Sequence, residues 1–418
     1  MRYFRLLVLG NGISAYGSYL NMVALNVFVY DATGSALAAG LFMAVRLATN
    51  VVSGWVSGRL VSVYDRKRLM VGADLCQAVA LLTLLLAPDG TRTGLLYVLA
   101  VVTGGCSTLS QVALRSSIPE IVGAEHRVRA NGLLVTGRSL AMIAGFASSG
   151  VVVAELGYSA AFALDAATFL VSATVLFLLP VRTRAAKDAP GGSAESSGAT
   201  RWTVRVMLGT APLLMAMIAI RAVDGLGSSS HNVALPIYSS SLDPDHPATF
   251  ISQFWATWAI GSIVAQQVIG RVTKKTGRTP GERAFALGAC VMSAGFIVVF
   301  SGLPTVPAVI AALVAGAADG FTEIVYVSRL QAAPDDQRGR LFGLSASAEN
   351  TGFGLGMLVS GALLETFSPI QVVASFHGLA IVLCTALLLL LLSRRGPRDR
   401  DAEETIGRDA STVPEGRG

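Results

Sequence analysis

Runs of about twenty predominantly apolar residues recur along the whole chain, each long enough to cross roughly 30 Å of hydrocarbon as a helix. They fall near 6 to 30, 35 to 58, 69 to 88, 94 to 117, 131 to 154 and 158 to 180, and again near 206 to 229, 249 to 270, 284 to 303, 306 to 328, 341 to 364 and 370 to 393. Inside lipid a backbone must satisfy its own N–H and C=O groups, which restricts such runs to helices. With 53% hydrophobic and 14% charged residues over 418 positions, the apolar surface exceeds what one soluble core can bury. The first run follows Arg2 and Arg5 but is too long for a signal peptide and lacks a small-residue cleavage site, so it reads as a retained span. The expected fold is all-α integral membrane, with twelve transmembrane helices.

Lys and Arg resist translocation and stay in cytoplasmic loops. With the N-terminus inside, Arg92 is the one basic residue placed outside, and Arg46, Arg115, Arg138, Arg221 and Arg329 fall within spans. The rest of the 32 lie in segments on the cytoplasmic side, so both termini are expected there, in a bacterial cell membrane. The net charge of +6 is spread over every inner loop and thus reports topology, with no nucleic-acid partner implied. Cys76, Cys106, Cys290 and Cys384 lie in apolar runs without a CxxC spacing, and His231 and His246 read as isolated loop residues towards the outside; neither a metal nor a cofactor is indicated.

The two sets of six runs repeat one another. Without a gap, Arg127 aligns with Arg338, Arg129 with Arg340, Gly132 with Gly343, Gly145 with Gly356 and Gly150 with Gly361. A register one residue longer aligns Gly58 and Arg59 with Gly270 and Arg271, and Arg66 with Arg278. The expected organisation is two pseudo-symmetric six-helix bundles, 1–180 and 205–393, joined by a Gly-, Ser- and Ala-rich linker over 181–204 and followed by a polar tail over 394–418. Parallel repeats of this kind place a substrate pathway at their mutual interface. No G-x-x-x-x-G-K-[ST] phosphate loop occurs and no nucleophile or metal set is positioned, so an ion gradient is the expected energy source and enzyme activity is not indicated.

The stretches GRLVSVYDRKRLMVGAD (Gly58 to Asp74), IPEIVGAEHRVRANGL (Ile118 to Leu133) and FALDAATFLVSATVLFLLP (Phe162 to Pro180) resemble the major facilitator superfamily, and within it the bacterial macrolide-efflux and enterobactin-exporter-like branch. The resemblance implies a cytoplasmic gate in the loop after the second span, here carried by Gly58, Asp65, Arg66, Lys67 and Arg68, with Gly270, Arg271 and Arg278 at the repeated position. Ser62 and Val63 stand where the family carries Asp and Arg, and Gly145 to Gly150 matches the antiporter signature without its proline. The resemblance also implies export of a small amphipathic molecule, a drug, antibiotic or secreted metabolite such as a siderophore, by proton antiport with alternating access. Lipid or lysolipid flipping and a non-transporting membrane sensor are the alternatives, and a monomer is the expected state.

Ionisable side chains within spans cost roughly 2.5 to 3.5 kcal/mol each on insertion scales and are expected to face protein or water. Arg221 and Asp224 in the seventh span and Asp319 in the tenth fall near mid-membrane, with Glu323 one helical turn from Asp319 on the same face. These four form the leading substrate and proton-coupling set; they serve either proton exchange or a fixed salt bridge between two spans. Glu349 is expected to pair with Arg46 or Arg138, and Asp165 to cap or pack locally near the outer end. Polar residues at helical spacing, Asn11, Ser14, Ser18 and Asn21 in the first span and Thr103, Ser107, Ser110 and Gln111 in the fourth, are expected to line a wet pathway. Gly54-x-x-x-Gly58 and Gly352-x-x-x-Gly356 are expected to allow close helix approach.

Overall fold

The computed structural model describes residues 2–122, 127–180, 212–276, 280–333 and 335–393. The expected linker and tail lie outside the described residues, as does Arg278. The first helices are α1 (Arg2–Thr33), α2 (Ala36–Val63), α3 (Arg66–Leu86) and α4 (Asp89–Val122). The next continuous element, Arg127–Leu178, is broken by Gly157 at φ 78°, ψ 173°, and its arms are α5 (127–156) and α6 (158–178). Then come α7 (Pro212–Leu242), α8 (Pro247–Thr276), α9 (Glu282–Val299), α10 (Thr305–Gln331), α11 (Asp335–Leu364) and α12 (Pro369–Ser393).

Local chemistry sets the helix starts. α8 and α12 each begin at a proline, whose fixed φ suits the first helical position and whose missing N–H is not needed there. Ser35 caps α2 by accepting from the Ala38 N–H at 3.2 Å, and Asp65 caps α3 by accepting from the Arg68 N–H at 3.1 Å. Among the described residues nine helices are long and apolar enough to cross a membrane, with 127–178 counted once. α1 and α11 fall short because polar residues such as Asn11, Asn21 and Asn26 in one, and Ser345, Glu349 and Asn350 in the other, interrupt their apolar faces. The seventh span, expected near 206 to 229, runs further at its end: α7 continues through Pro236 to Leu242, while 206–211 lie outside the described residues.

The packing repeats between halves. α2 and α3 lie on α4, α1 on α5 and α6, and α3 on α6; correspondingly α8 and α9 lie on α10, α7 on α11 and α12, and α9 on α12. The principal contacts between halves are also a related pair, α2 with α11 and α5 with α8. Apolar side chains such as Leu86, Phe177, Leu178, Val306 and Val382 remain exposed around the outside, the inverse of a water-soluble surface.

Helix ends define two faces, one carrying the starts of α1, α3 and α7 and the ends of α6 and α12 (the terminal face), the other carrying the α1–α2 connection and Gly157 (the far face). The halves are sealed at the far side and separate towards the terminal side. One buried apolar cluster crosses between halves, with the Phe146 and Trp255 rings 5.7 Å apart, whereas each half has its own cluster at the terminal side, around Phe4, Met70 and Leu179 in one and around Met217, Phe285 and Leu387 in the other. A Cβ on Gly40 would lie 2.5 Å from the Met357 carbonyl oxygen, and one on Gly150 would run into Ser252, so the halves approach at backbone distance there. Gly58, Gly132, Gly270 and Gly343, near the terminal face, have nothing within 4 Å of that position. Of the two expected close-packing motifs, Gly352 and Gly356 press against Ala222 and Ser229 of α7, while Gly58 faces open space and a Cβ on Gly54 would meet only Thr108, at 3.9 Å.

Candidate functional site

Arg221 and Asp224 are three residues apart on α7 and so share a face, where Arg221 Nη1 lies 2.9 Å from Asp224 Oδ2. α10 brings Glu323 Oε2 to 2.7 Å from Arg221 Nη2 and Asp319 Oδ1 to 4.0 Å from Nη1. The four residues expected to group do so. Glu349 does not pair with Arg46 or Arg138 as expected: its Oε2 is 3.8 Å from Arg221 Nη2, making α11 the third wall of the same site. The Ser345 hydroxyl donates to Glu349 Oε1 at 2.8 Å and lies 2.6 Å from the Tyr326 hydroxyl, whose ring packs under the guanidinium at 5.5 Å. Asp224 Oδ1 and Arg221 Nε are buried without a hydrogen-bond partner. The side chains of Asp319, Glu323 and Glu349 stay 24%, 43% and 32% exposed. One guanidinium therefore faces four carboxylates, three of them open to the cleft.

The first half holds a separate set. Asp165 in α6 is buried and accepts from Asn21 Nδ2 of α1 at 2.7 Å, while Arg46 of α2 is half-buried. Asp165 is thus tied to another helix, where sequence had suggested local packing. Arg138 donates to the Tyr19 hydroxyl at 2.9 Å and to Gln111 Oε1 at 3.2 Å.

Of the polar residues expected along the pathway, Ser14, Asn21 and Thr103 are instead buried in helix packing; Thr103 bonds the Leu99 carbonyl of its own helix at 2.8 Å. Asn11, Ser18, Ser107, Ser110 and Gln111 are half-buried, and the Ser110 hydroxyl approaches Asp74 Oδ1 at 3.5 Å.

At the expected gate, Arg66 Nη1 donates to the Ser116 carbonyl at 2.8 Å, and Lys67 Nζ to the carbonyls of Phe177 and Leu179 at 2.9 and 2.6 Å. These bonds stay within the first half. Arg68 is exposed, and Arg271 bonds Gln267 of its own helix at 3.4 Å. The second half repeats the arrangement with Arg283 Nη2 donating to the Leu391 carbonyl at 3.0 Å, so that a basic residue at the start of α3 and of α9 caps the end of α6 and of α12.

Sequence reasoning missed two buried polar groups. Asp74 is 4% exposed within α3. His231, expected in a loop, is 2% exposed because α7 extends past it; its Nδ1 lies 3.1 Å from Nε2 of the fully buried His377 in α12, whose Nδ1 is 3.3 Å from the Ser293 hydroxyl. Phe296 stacks on both rings. Gly227, one turn before His231, was the available signal: a Cβ there would lie 2.9 Å from the His377 ring.

Known proteins resemble the chain in sequence and fold. A family profile described as Major Facilitator Superfamily matches residues 7–332 and 283–415. The Bacillus subtilis (strain 168) protein YfiS, an uncharacterized MFS-type transporter, is 23% identical over 398 residues, covering 91% of this chain and 89% of that protein. The multidrug efflux pump Tap of Mycobacterium tuberculosis (strain ATCC 25618 / H37Rv) is 24% identical over 419 residues, 96% of each. Among solved structures, the nucleoside transporter NupG has a TM-score of 0.71 at 16% identity, covering 94% of this chain and 99% of that one. A bacterial homologue of the iron transporter ferroportin in an inward-facing state has a TM-score of 0.70 at 14% identity, covering 93% and 98%. With two repeated helical halves meeting around a charged cleft, and a family profile spanning nearly its whole length, the chain is a multi-pass membrane transporter belonging to the Major Facilitator Superfamily.

Proposed function

We propose that this transporter exports an amphipathic small molecule bearing positive charge in exchange for protons. The observation that carries this reading is the imbalance at Arg221, where one guanidinium meets four carboxylates. Arg221 neutralises one of them. The remaining negative charge, crowded around one guanidinium within the membrane-spanning segments, calls for bound cations, either protons on the carboxylates or a cationic group of the substrate. Each excludes the other, which is what exchange requires: substrate arriving from one side displaces protons, and protons arriving from the other displace substrate. An anionic substrate held by Arg221 would meet the excess carboxylates.

Direction follows from orientation. The face carrying the basic loop residues is read as cytoplasmic, so the cleft opens to the cytoplasm in this conformation and the far-side seal faces out. The printed role of Tap, multidrug efflux, supports export. The site lies wholly within one chain, so a monomer is sufficient.

Reconstitution into liposomes with an imposed pH gradient tests the reading, using a panel of cationic, neutral and anionic amphipathic fluorophores. Expected is proton movement driven by cations only, lost in Asp319→Asn and Asp224→Asn. Full gradient-driven transport in both variants would remove the coupling role from this site, and scrambling of fluorescent lipid without proton movement would favour flipping.

A further inference from the structure

At the far face, the carboxylate of Glu365, just beyond α11 in the second half, reaches the start of α2 in the first. Its Oε1 accepts from the Ser35 hydroxyl at 2.8 Å and from the Leu37 backbone N–H at 3.0 Å. Residues 330 positions apart are thereby joined across the boundary between halves. We propose that Glu365 is a releasable latch holding the far side shut, a positioning residue for the transport cycle that must let go of α2 before the cleft can open to that face.

Three observations carry this. First, α2 does not need Glu365 to form, because Ser35 already caps it through the Ala38 N–H. The carboxylate is a second cap, supplied by the other half. Its gain, a charge-assisted bond at the positive end of a helix, is available only when the halves meet.

Second, the bond lies at the outermost layer of the seal and is exposed, with the backbone approach of Gly40 to Met357 beneath it. A bond in that place can exchange protein for water partners at modest cost, unlike the buried pair at Arg221 and Asp224. The Leu37 N–H and the Ser35 hydroxyl together hold the carboxyl below the usual carboxylate range, so it is ionised in ordinary media.

Third, the latch is one-sided. At the related seam the end of α5, with Glu155, lies beside the start of α8, and among the described residues no carboxylate hydrogen bond joins the two. There a cavity of about 430 Å³ lined by Glu155, Asp243, His246 and Gln253 takes the place of the bond. Among the described residues the α2–α11 seam is tied by a carboxylate and the α5–α8 seam is not, so release at the former bears on far-side opening.

The proposal rests on alternating access but on neither the substrate nor the coupling ion. Spin labels at Leu41→Cys and Val359→Cys, both exposed on the lipid side of α2 and α11, report the separation in nanodiscs when the four native cysteines are replaced. Expected is a dominant short distance in the parent, and in Glu365→Ala a longer population whose ratio to the short one rises about tenfold. Glu365→Gln, which keeps an acceptor but loses the charge, should fall between, as should Ser35→Ala. Unchanged distances in folded Glu365→Ala would overturn the latch, as would a lowered melting temperature with unchanged distances, which marks a cap of α2 and nothing more. If Glu365→Ala fails to fold, Glu365→Gln and Ser35→Ala decide by the same readout. A distance change that persists in Asp319→Asn separates the latch from the coupling reading.

Discussion

The side-chain amide of Asn21 in α1 donates a 2.7 Å hydrogen bond to the carboxylate of Asp165 in α6, which is 2% exposed. Gly17 makes the contact between these helices possible, since a Cβ there would lie 2.7 Å from Asp165 Oδ1. Replacing Asn21 by Leu leaves a buried carboxylate without its best donor. The expected loss is about 1–3 kcal/mol of stability, read as a lower melting temperature in detergent. Asp165→Asn should cost less, because a neutral amide needs no counter-charge; equal losses would contradict the assignment.

Arg221 should be the least replaceable residue in the second half. Arg221→Gln leaves Asp224 buried and uncompensated beside three further carboxylates, and removing one partner of such a pair costs about 3–5 kcal/mol. Glu323→Gln, removing a half-exposed carboxylate, should leave the melting temperature within experimental scatter. Arg221→Lys keeps the charge but cannot span Asp224 and Glu323 with two separate nitrogens, so transport should fall while the fold survives.

The far-side seal predicts a steric phenotype. A side chain at Gly40 would press on the Met357 carbonyl oxygen. Gly40→Leu should therefore yield folded protein that cannot close that face, with transport lost and a cysteine introduced at the cleft reactive to a membrane-impermeant thiol reagent added from outside. Gly58→Leu, at the open end, should leave outside labelling unchanged.

Gly227 and His377 should show strong coupling. Gly227→Ala drives a methyl into the His377 ring and is expected to cost about 1–3 kcal/mol. In a His377→Ala background the same substitution fills space left by the ring, so its cost should shrink or reverse. A double-mutant cycle by thermal melting measures the difference, and simple additivity would contradict the packing.

Much of the architecture was legible because lipid imposes it. Apolar runs had to be helices, and Arg221, Asp224, Asp319 and Glu323 had to find one another or water. Rotation about a helix axis was not legible. Glu349 and Arg138 share a depth by repeat register, yet α11 turns Glu349 towards Arg221 while Arg138 turns to Tyr19 and Gln111. Small polar residues were equally ambiguous: Thr103 satisfies its hydroxyl on its own helix, so a polar stripe need not be a wet one. His231 was misplaced because the seventh span was expected to end near 229, whereas packing against α12 sustains the helix past it to Leu242.

Gly157 joins α5 to α6 by a single residue in a left-handed conformation. Such a joint is a hairpin without slack: neither arm can slide or tilt far without dragging the other. Since α5 bears on α8 and α6 bears on α3, a push delivered at the partner half is passed straight to the opposite flank of its own bundle. The first half is thereby obliged to swing as a single lever, and a longer, looser turn at Gly157 would be expected to blunt its stroke.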